Sequence, residues 1–459
     1  MNGNTKLLTA VVILIVVVAA GIAVFFVLNN NKESSADIDA ALEVYGNADN
    51  DYKIDKADRK VIEKIIAKED GYTLAKYPLA DTNYDGTVND KDLTALDKIL
   101  NGEKTTVYHL NYNTDKTKYP DGSYVVSTSW PIKYCVGNGG GNPLIMYGLV
   151  GLTSENVVGI NYSSSSPPDK VIWPEFAAMK SLGTSTNYIT ESLLQECLLA
   201  NPGVTAVITG DNKIMLDGSQ GLSEADLEDT YGLDVIRIRH SAVDPDEYAS
   251  GLLLLGFLFQ KDTQAVEVAE WTTEIYKMID EKVSKLDEKV RVTTSSYYYY
   301  LNATNSDYAD NAAYGGGNVV TWEQAATTIY FEPENAKYDP RVYEDQYQGD
   351  VIIVYRTGSG FLKASWYDDP DTWDTENMKE HLSHFFRFKA YENKNVYHTS
   401  GDMPIVARVL YSAAIMYPDL ISMDKADKLH QEFVDKFLDG RYTVKDLKFV
   451  LSQSEIEGM

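Results

Sequence analysis

The hydrophobic pattern changes character several times along the chain. Residues 7–28, LLTAVVILIVVVAAGIAVFFVL, are apolar throughout. Two short amphipathic stretches follow, one with Val61, Ile62, Ile65 and Ile66, the other with Leu93, Leu96, Ile99 and Leu100. Their i, i+3, i+4 spacing predicts two helices. Beyond them the runs become short and strand-like. TVYHLNY and SYVVSTS flank PDG, which predicts a hairpin. IKYCVGN, NVVGINY, VTAVITG and LDVIRIRH are apolar runs with helical patterns between them, an α/β arrangement on a parallel sheet. A long helical region spans residues 246–286, and a second α/β series follows in VRVTTSSYYYY, GDVIIVYRT and NVYHTS. The expected fold class is α/β, with two α/β lobes bridged by a single long helix, a small all-α module ahead of them and an N-terminal transmembrane helix.

The apolar run holds 22 residues, enough to cross roughly 30 Å of hydrocarbon. A cleavable signal has a shorter core ending at small residues, whereas Ala19, Ala20 and Gly21 fall in the middle of this run. Lys6 and the amino terminus favour the cytoplasmic side. The expectation is a single-pass cell-membrane protein: residues 1–6 cytoplasmic, 7–28 the anchor, 29–37 a polar linker, and the rest extracellular. At 459 residues the chain has room for about three domains. A net charge of −27 argues against nucleic acid, whose phosphates want a basic surface. Two cysteines are too few for a disulfide framework, and Cys197, on an apolar helical stripe, reads as a buried thiol.

DTNYDGTVNDKD, residues 81–92, has the register of a calcium loop. Asp81, Asn83, Asp85, Asn89 and Asp92 stand where oxygen ligands are needed, Thr87 offers its carbonyl, and Gly86 supplies the turn. Hard Ca2+ suits such an all-oxygen set. NADNDYKIDKAD upstream places Asn47, Asp49, Asp51, Asp55 and Asp58 at the same positions, with the carbonyl of Lys53. Tyr52 replaces the turn glycine, so this first loop is expected to be strained and weaker. Both loops end in Asp and each runs into a helix. The paired loop–helix unit, residues 38–103, resembles a dockerin. The resemblance implies a non-catalytic, calcium-dependent module with two calcium ions that docks onto a cohesin-bearing protein or an intramolecular partner. It also implies partner contacts at Lys56 and Ala57 and at Asp90 and Lys91, pairs that differ and so argue against a symmetric dual binding mode.

The body resembles the substrate-binding protein of an ABC importer of the ferric siderophore, haem and vitamin B12 class. The matching stretches, in order, include VVGIN, ITESLLQECLLANPGVTAVITG, GLLLLGFLFQKDTQAVEVAEW, YGGGNVVTWEQ, FRFKAYENKNVYHTSGDMP and MYPDL. The resemblance implies an N-lobe at 104–245, a bridging helical region at 246–286 and a C-lobe at 287–459. It implies a metal-chelate ligand containing iron or cobalt, an ABC permease as partner, and permease docking through Glu191 and Glu323. Such a receptor is not an enzyme, and no nucleophile–base constellation stands out in the sequence.

Ligands of parallel sheets meet the loops at the carboxyl ends of strands, and clefts between domains are common small-molecule sites. The candidate ligand residues on that basis are Tyr134, the GNGGGN turn at 137–142, Tyr162, Trp173 and His240 in the N-lobe, and Tyr298, Tyr300, Arg356, Tyr397 and His398 in the C-lobe. Arg356 is the expected clamp for anionic oxygens. Neither GNGGGN nor GGGN at 315–318 has the spacing of a phosphate loop. His381 and His384, one turn apart without a third ligand, read as a polar helix face. YDDPDTWD reads as a surface loop. The alternative function is a non-transport surface scaffold or adhesin whose working part is the dockerin.

Overall fold

The computed structural model describes residues 40–163, 167–185, 187–296, 299–303, 306–322 and 328–459. The expected anchor at 7–28, with its flanks at 1–6 and 29–37, lies outside these residues, as do Tyr298 and Glu323.

The two loop–helix units fold as one small body. Helices α1 (Lys56–Ile66) and α2 (Asp90–Leu100) each start at a capping box, Asp55 with Asp58 and Asn89 with Asp92. These boxes satisfy the first free N–H groups of each helix. Ile62 and Leu96 are fully buried between the helices. The segment ahead of the first loop does not belong to this small core. Residues 40–45 run antiparallel to strand β1 (Thr105–Tyr112): Tyr45 N–H donates to Tyr108 O at 2.8 Å and Leu110 N–H to Glu43 O at 3.2 Å. Ala40, Leu42 and Val44 bury their side chains in the main core.

Strand β1 pairs with β2 (Ser123–Trp130) in the hairpin that the PDG turn predicts. The Asn111 side chain ties this hairpin to the first sheet, donating to Val235 O at 2.7 Å and accepting from Arg237 N–H at 3.0 Å. That sheet holds β3 (Tyr134–Asn138), β4 (Val157–Asn161), β5 (Val204–Gly210) and β6 (Asp234–Ile238) in the order β4-β3-β5-β6, all parallel. Helix α3 (Gly141–Leu149) follows β3, and α4 (Glu191–Ala200) leads into β5.

The expected single bridging helix is a helical hairpin. Helix α5 (Pro245–Leu258) and the 22-residue α6 (Asp262–Val283) are separated by a reversal at residues 259–261, with Gln260 at φ 54°. The helices touch because Gly256 has no side chain: a Cβ there would stand 2.3 Å from that of Ala265. Hydrophobic periodicity carries straight across a three-residue reversal, which is why the sequence reads as one element. Helix α5 is apolar all round and buried all round.

The second sheet collects β7 (Arg291–Ser295), β9 (Asn318–Val319), β11 (Val351–Arg356), β12 (Val396–Ser400) and β13 (Val450–Ser452), in the order β13-β12-β11-β7-β9 with only β13 antiparallel. Strands β8 (Tyr300–Asn302) and β10 (Thr328–Tyr330) form a separate antiparallel pair. Helices α7 (Asp307–Tyr314), α8 (Thr375–Ser383), α9 (Ile405–Met416) and α10 (Met423–Phe437) complete this half. Helix α6 touches both halves: Gln264 lies against Gly151, while Trp271 packs on Phe433 and Phe437 of α10 at 5.0 and 6.0 Å between ring centroids.

Candidate functional site

The carboxyl ends of the two parallel sheets face each other. The loop after β4 meets the loop after β11 where Ser365 Oγ donates to Asp169 Oδ2. Arg441, ahead of β13, donates to Ile172 O and pairs with Glu175 at 2.9 Å, its guanidinium 4.7 Å over the Trp173 ring. Tyr314 donates to Asp244 Oδ2 at 2.5 Å beside the helical hairpin. Side chains from the two halves thus meet at three points around the space between the sheets.

The first sheet ends in a ladder of neutral polar groups. The Asn161 amide donates to Asn138 Oδ1 at 2.6 Å and to the carbonyls of Ser185 and Tyr188, and Asn138 donates to Thr209 Oγ1 at 2.9 Å. All three side chains are buried. A cavity of about 10 Å³, close to the room one water needs, lies beside this ladder, lined by Gly139, Gly140, Tyr147 and Tyr162 among others. Gly139 and Gly140 have φ of 132° and 80°, conformations that favour glycine. His240 closes this edge at the end of β6. Its Nδ1 meets Ser241 Oγ at 2.8 Å, its Nε2 is buried without a partner, and burial pushes its pKa down to about 4. Gly210 makes room for it, since a Cβ there would stand 2.4 Å from Nε2.

The edge of the second sheet carries charge. Arg356 at the end of β11 is buried and donates to Ser296 O at 2.9 Å. Asp402, after β12, accepts from Gly358 N–H at 2.8 Å; burial raises its pKa to about 6 against the opposing field of Arg408. Arg408 in the first turn of α9 is 2 % exposed, and its Nε and Nη2 have no hydrogen-bond partner. Asp310 on α7 rises to about 7 through burial and the neighbouring carboxylates of Asp307, Glu247 and Asp244.

Of the sequence-derived ligand residues, the GNGGGN turn, Tyr162 and His240 stand at the carboxyl edge of the first sheet. Tyr162 is tied down, its hydroxyl donating to Met179 O at 2.8 Å. Tyr134 does not join them: it opens β3 at the amino end, its ring against Gly203. Trp173 is walled in by Gly148 and Arg441 rather than offered to a ligand. In the second half β7 stops at Ser295, ahead of the YYYY run. Tyr300 instead opens β8 and stacks edge-on with Tyr330 at 5.7 Å. Tyr397 sits mid-strand between Ile353 and Ser452, and His398 is buried with its ring stacked on Phe361 at 4.4 Å. Burial, with Arg356 and His381 nearby, holds the His398 pKa well below its usual value. His381 is not on a polar face. It is buried beside Phe361, and burial and Arg356 push it down to about 3. Sequence reasoning missed Asp402, the asparagine ladder and Arg408. The available signal for Arg408 was a lone charge inside the apolar helix IVARVLYSAAIM.

Glu191 is exposed in the first turn of α4, accepting from Tyr231 OH at 3.0 Å and from Gln195 Nε2 at 3.3 Å. In the loop–helix module, the last carboxylate of each loop holds the same two backbone groups. Asp58 accepts from Asp49 and Asp55 N–H, and Asp92 from Asn83 and Asn89 N–H. Asp81 also accepts from Asp85 and Gly86 N–H. The loops differ at the turn. Gly86 takes φ 87°, but Tyr52 is not forced to a positive φ, so the strain expected there is absent. The fourth position takes a positive φ in both loops, Asn50 at 61° and Tyr84 at 54°. Asn47 then turns its amide to Leu42 O and Asp51 O, leaving Asn47 Oδ1 and Asp49 Oδ1 buried and unpartnered. Burial and crowding raise Asp58 to about 7 and Asp81 to about 6. Among the described residues no three His, Cys, Asp or Glu side chains form a metal-binding group by themselves; each loop would need its asparagine and carbonyl oxygens as well.

No family model matches the sequence, and no curated protein does. Solved structures match in fold. A TroA-like periplasmic binding protein, FepB from Veillonella parvula, is 17 % identical with a TM-score of 0.52, over 71 % of this chain and 97 % of its own. An ABC transporter solute binding protein from Sulfurospirillum deleyianum is 16 % identical with a TM-score of 0.50, over 69 % of this chain and 93 % of its own. The expected localisation, single-pass in the cell membrane with the bulk extracellular, is thereby corrected. A structure that shares this fold is named a periplasmic binding protein, and no helix among the described residues is long and apolar enough to cross a membrane. The chain has the mixed α/β fold of TroA-like periplasmic binding proteins.

Proposed function

We propose that this chain is the substrate-binding receptor of an ABC importer. It captures a metal chelate, such as a ferric siderophore, haem or a corrinoid, between its two lobes and hands it to a permease. The observation that carries this reading is the meeting of two parallel sheets at their carboxyl ends, with buried polar groups of both edges turned to the space between them. The fold it shares with a solute binding protein of an ABC transporter supports the same reading. Helix α6 serves as the bridge between the lobes. Glu191, exposed on the rim of the first lobe, is the permease contact there, with Glu323 as its counterpart on the second. The test separates capture from delivery: Glu191→Ala keeps chelate affinity and loses uptake by cells or vesicles carrying the permease, whereas unchanged uptake removes the docking role.

The loop–helix module is a calcium-binding dockerin in this reading. Loop 2 offers Asp81, Asn83, Asp85, Asn89, Asp92 and the Thr87 carbonyl, loop 1 the corresponding Asn47, Asp49, Asp51, Asp55, Asp58 and the Lys53 carbonyl. Crowded carboxylates and the orphaned oxygens of Asn47 and Asp49 support a cation in each. Lys56, Ala57, Asp90 and Lys91 are exposed where a cohesin-bearing partner would meet them, Lys91 pairing with Asp85 at 3.4 Å. Calcium titration followed by melting temperature tests it: calcium stabilises the full chain, and Asp92→Ala removes most of that gain. The absence of any calcium response would end the dockerin reading while leaving the receptor reading intact.

A further inference from the structure

Arg408 is buried, yet its Nε and Nη2 meet nothing. Burying a guanidinium without a partner is strongly unfavourable. Its neighbours do not resolve this. Asp402, whose field reaches it, has turned Oδ2 to Gly358 N–H and makes no ion pair with Arg408 among the described residues. Tyr276 OH donates to Val243 O, and Tyr355 OH is taken up by Ser412. The Tyr308 ring stands 6.0 Å from the guanidinium, and Tyr248 of α5 also lies within its field.

The position is informative. Helix α9 begins just past the carboxyl end of β12, and helical side chains lean toward the N-terminus of their helix. Arg408 in the first turn therefore leans toward the space between the sheets, walled by α5, α6 and α7. A second buried group on a neighbouring helix is also unsatisfied. Asn311 lies one turn after Tyr308 on α7, a helix that packs against α9, and neither its Nδ2 nor its Oδ1 has a partner at 0 % exposure. The two open nitrogens of Arg408 lie along one edge of the guanidinium, with parallel N–H groups that match a pair of anionic oxygens.

We propose that Arg408 is an anion-binding residue at the floor of the cleft, seating a carboxylate, catecholate or phosphate group of the solute on its Nε–Nη2 edge. The identity of the occupant as a chelate rests on the receptor reading above; the anion site itself does not. The solute is then one with exposed anionic oxygens.

The test uses the full chain with Arg408→Gln, Arg408→Met and, as control, Arg387→Gln at an exposed arginine. Intrinsic fluorescence is titrated with haem, a ferric tris-catecholate and the cationic chelate ferrioxamine B. Melting is followed separately with citrate and with inorganic phosphate. The expected result is tight binding of an anionic chelate, weakened by about 30-fold or more in Arg408→Gln and unchanged in Arg387→Gln. Citrate or phosphate raises the melting temperature of the wild type but not of Arg408→Met, which without ligand melts at least as high as the wild type. Chelates bound equally by wild type and Arg408→Gln would overturn the anion site and leave the receptor reading standing. No chelate binding, but an Arg408-dependent anion response, would do the reverse. Arg408→Met melting well below the wild type would make Arg408 a structural cation and overturn the proposal.

Discussion

Arg237 and Arg408 are each 2 % exposed, one in each half of the body. Arg237, on β6, pairs with Glu224 at 2.8 Å and donates to the carbonyls of Gly210, Asn212 and Met215. Arg408 makes no such contact through Nε or Nη2. The same side chain is thus saturated in one half and left open in the other. The rest of each edge follows suit. The first sheet ends in a self-contained ladder of Asn161, Asn138 and Thr209 beside a neutral His240, whereas the second ends in charged groups around Arg408 and Asp402. A buried cation whose needs are all met is part of the fold; one whose needs are unmet points to something the fold receives.

The largest effect that could break this contrast lies at Arg237. Arg237→Met leaves Glu224 and three carbonyls without their donor and is expected to cost about 3–5 kcal/mol in urea unfolding, with no comparable loss for Arg408→Met. Equal losses at the two sites would erase the distinction. Next in size, Asn161→Ala strips the first-sheet ladder, leaving Asn138 Oδ1 and the Ser185 and Tyr188 carbonyls unmet, at about 2 kcal/mol. A neutral outcome would mean that this edge, too, is open to a ligand.

How much of this was legible in the sequence varies by element. The two module helices, the hairpin and seven of the strands follow from periodicity and turn residues, because each is a local pattern. The reversal at residues 259–261 was not, since apolar residues continue through it and only Gly256 against Ala265 records the close packing. Strands β8, β9, β10 and β13 have two or three residues each, too short to show alternation. Tyr134 and Tyr397 were misplaced because strand membership does not say which end or which face a residue occupies. Arg356 was legible as a strand-end cation and Arg408 only as a lone charge in an apolar helix; the hydrogen bond from Arg356 to Ser296 O and the open Nε and Nη2 of Arg408 are set by tertiary placement, which no local pattern records.

Two smaller effects sharpen the comparison. Arg441→Ala removes a partly buried pair with Glu175, the donor to Ile172 O and the cation over Trp173. It is expected to cost about 1 kcal/mol or less and to speed amide exchange across residues 169–176, where the halves touch. The smallest effect is in pH. Asp402, raised by burial to about 6 with Asp169 adding to the rise and Arg408 opposing it, becomes neutral as pH falls through 6. An anion then meets Arg408 with less competition, so affinity rises severalfold from pH 7 to pH 5.5. Asp310, at about 7, also takes up its proton over that range, while His240, at about 4, stays neutral. A flat profile would separate Asp402 from the site.

The most direct test of the central claim is a fluorescence titration of the full chain, at constant calcium, with ferric siderophores, haem, cobalamin and free metal ions. The account predicts saturable, sub-micromolar binding of a metal chelate with exposed anionic oxygens and no response to free metal. A folded protein that binds none of the chelates would contradict it.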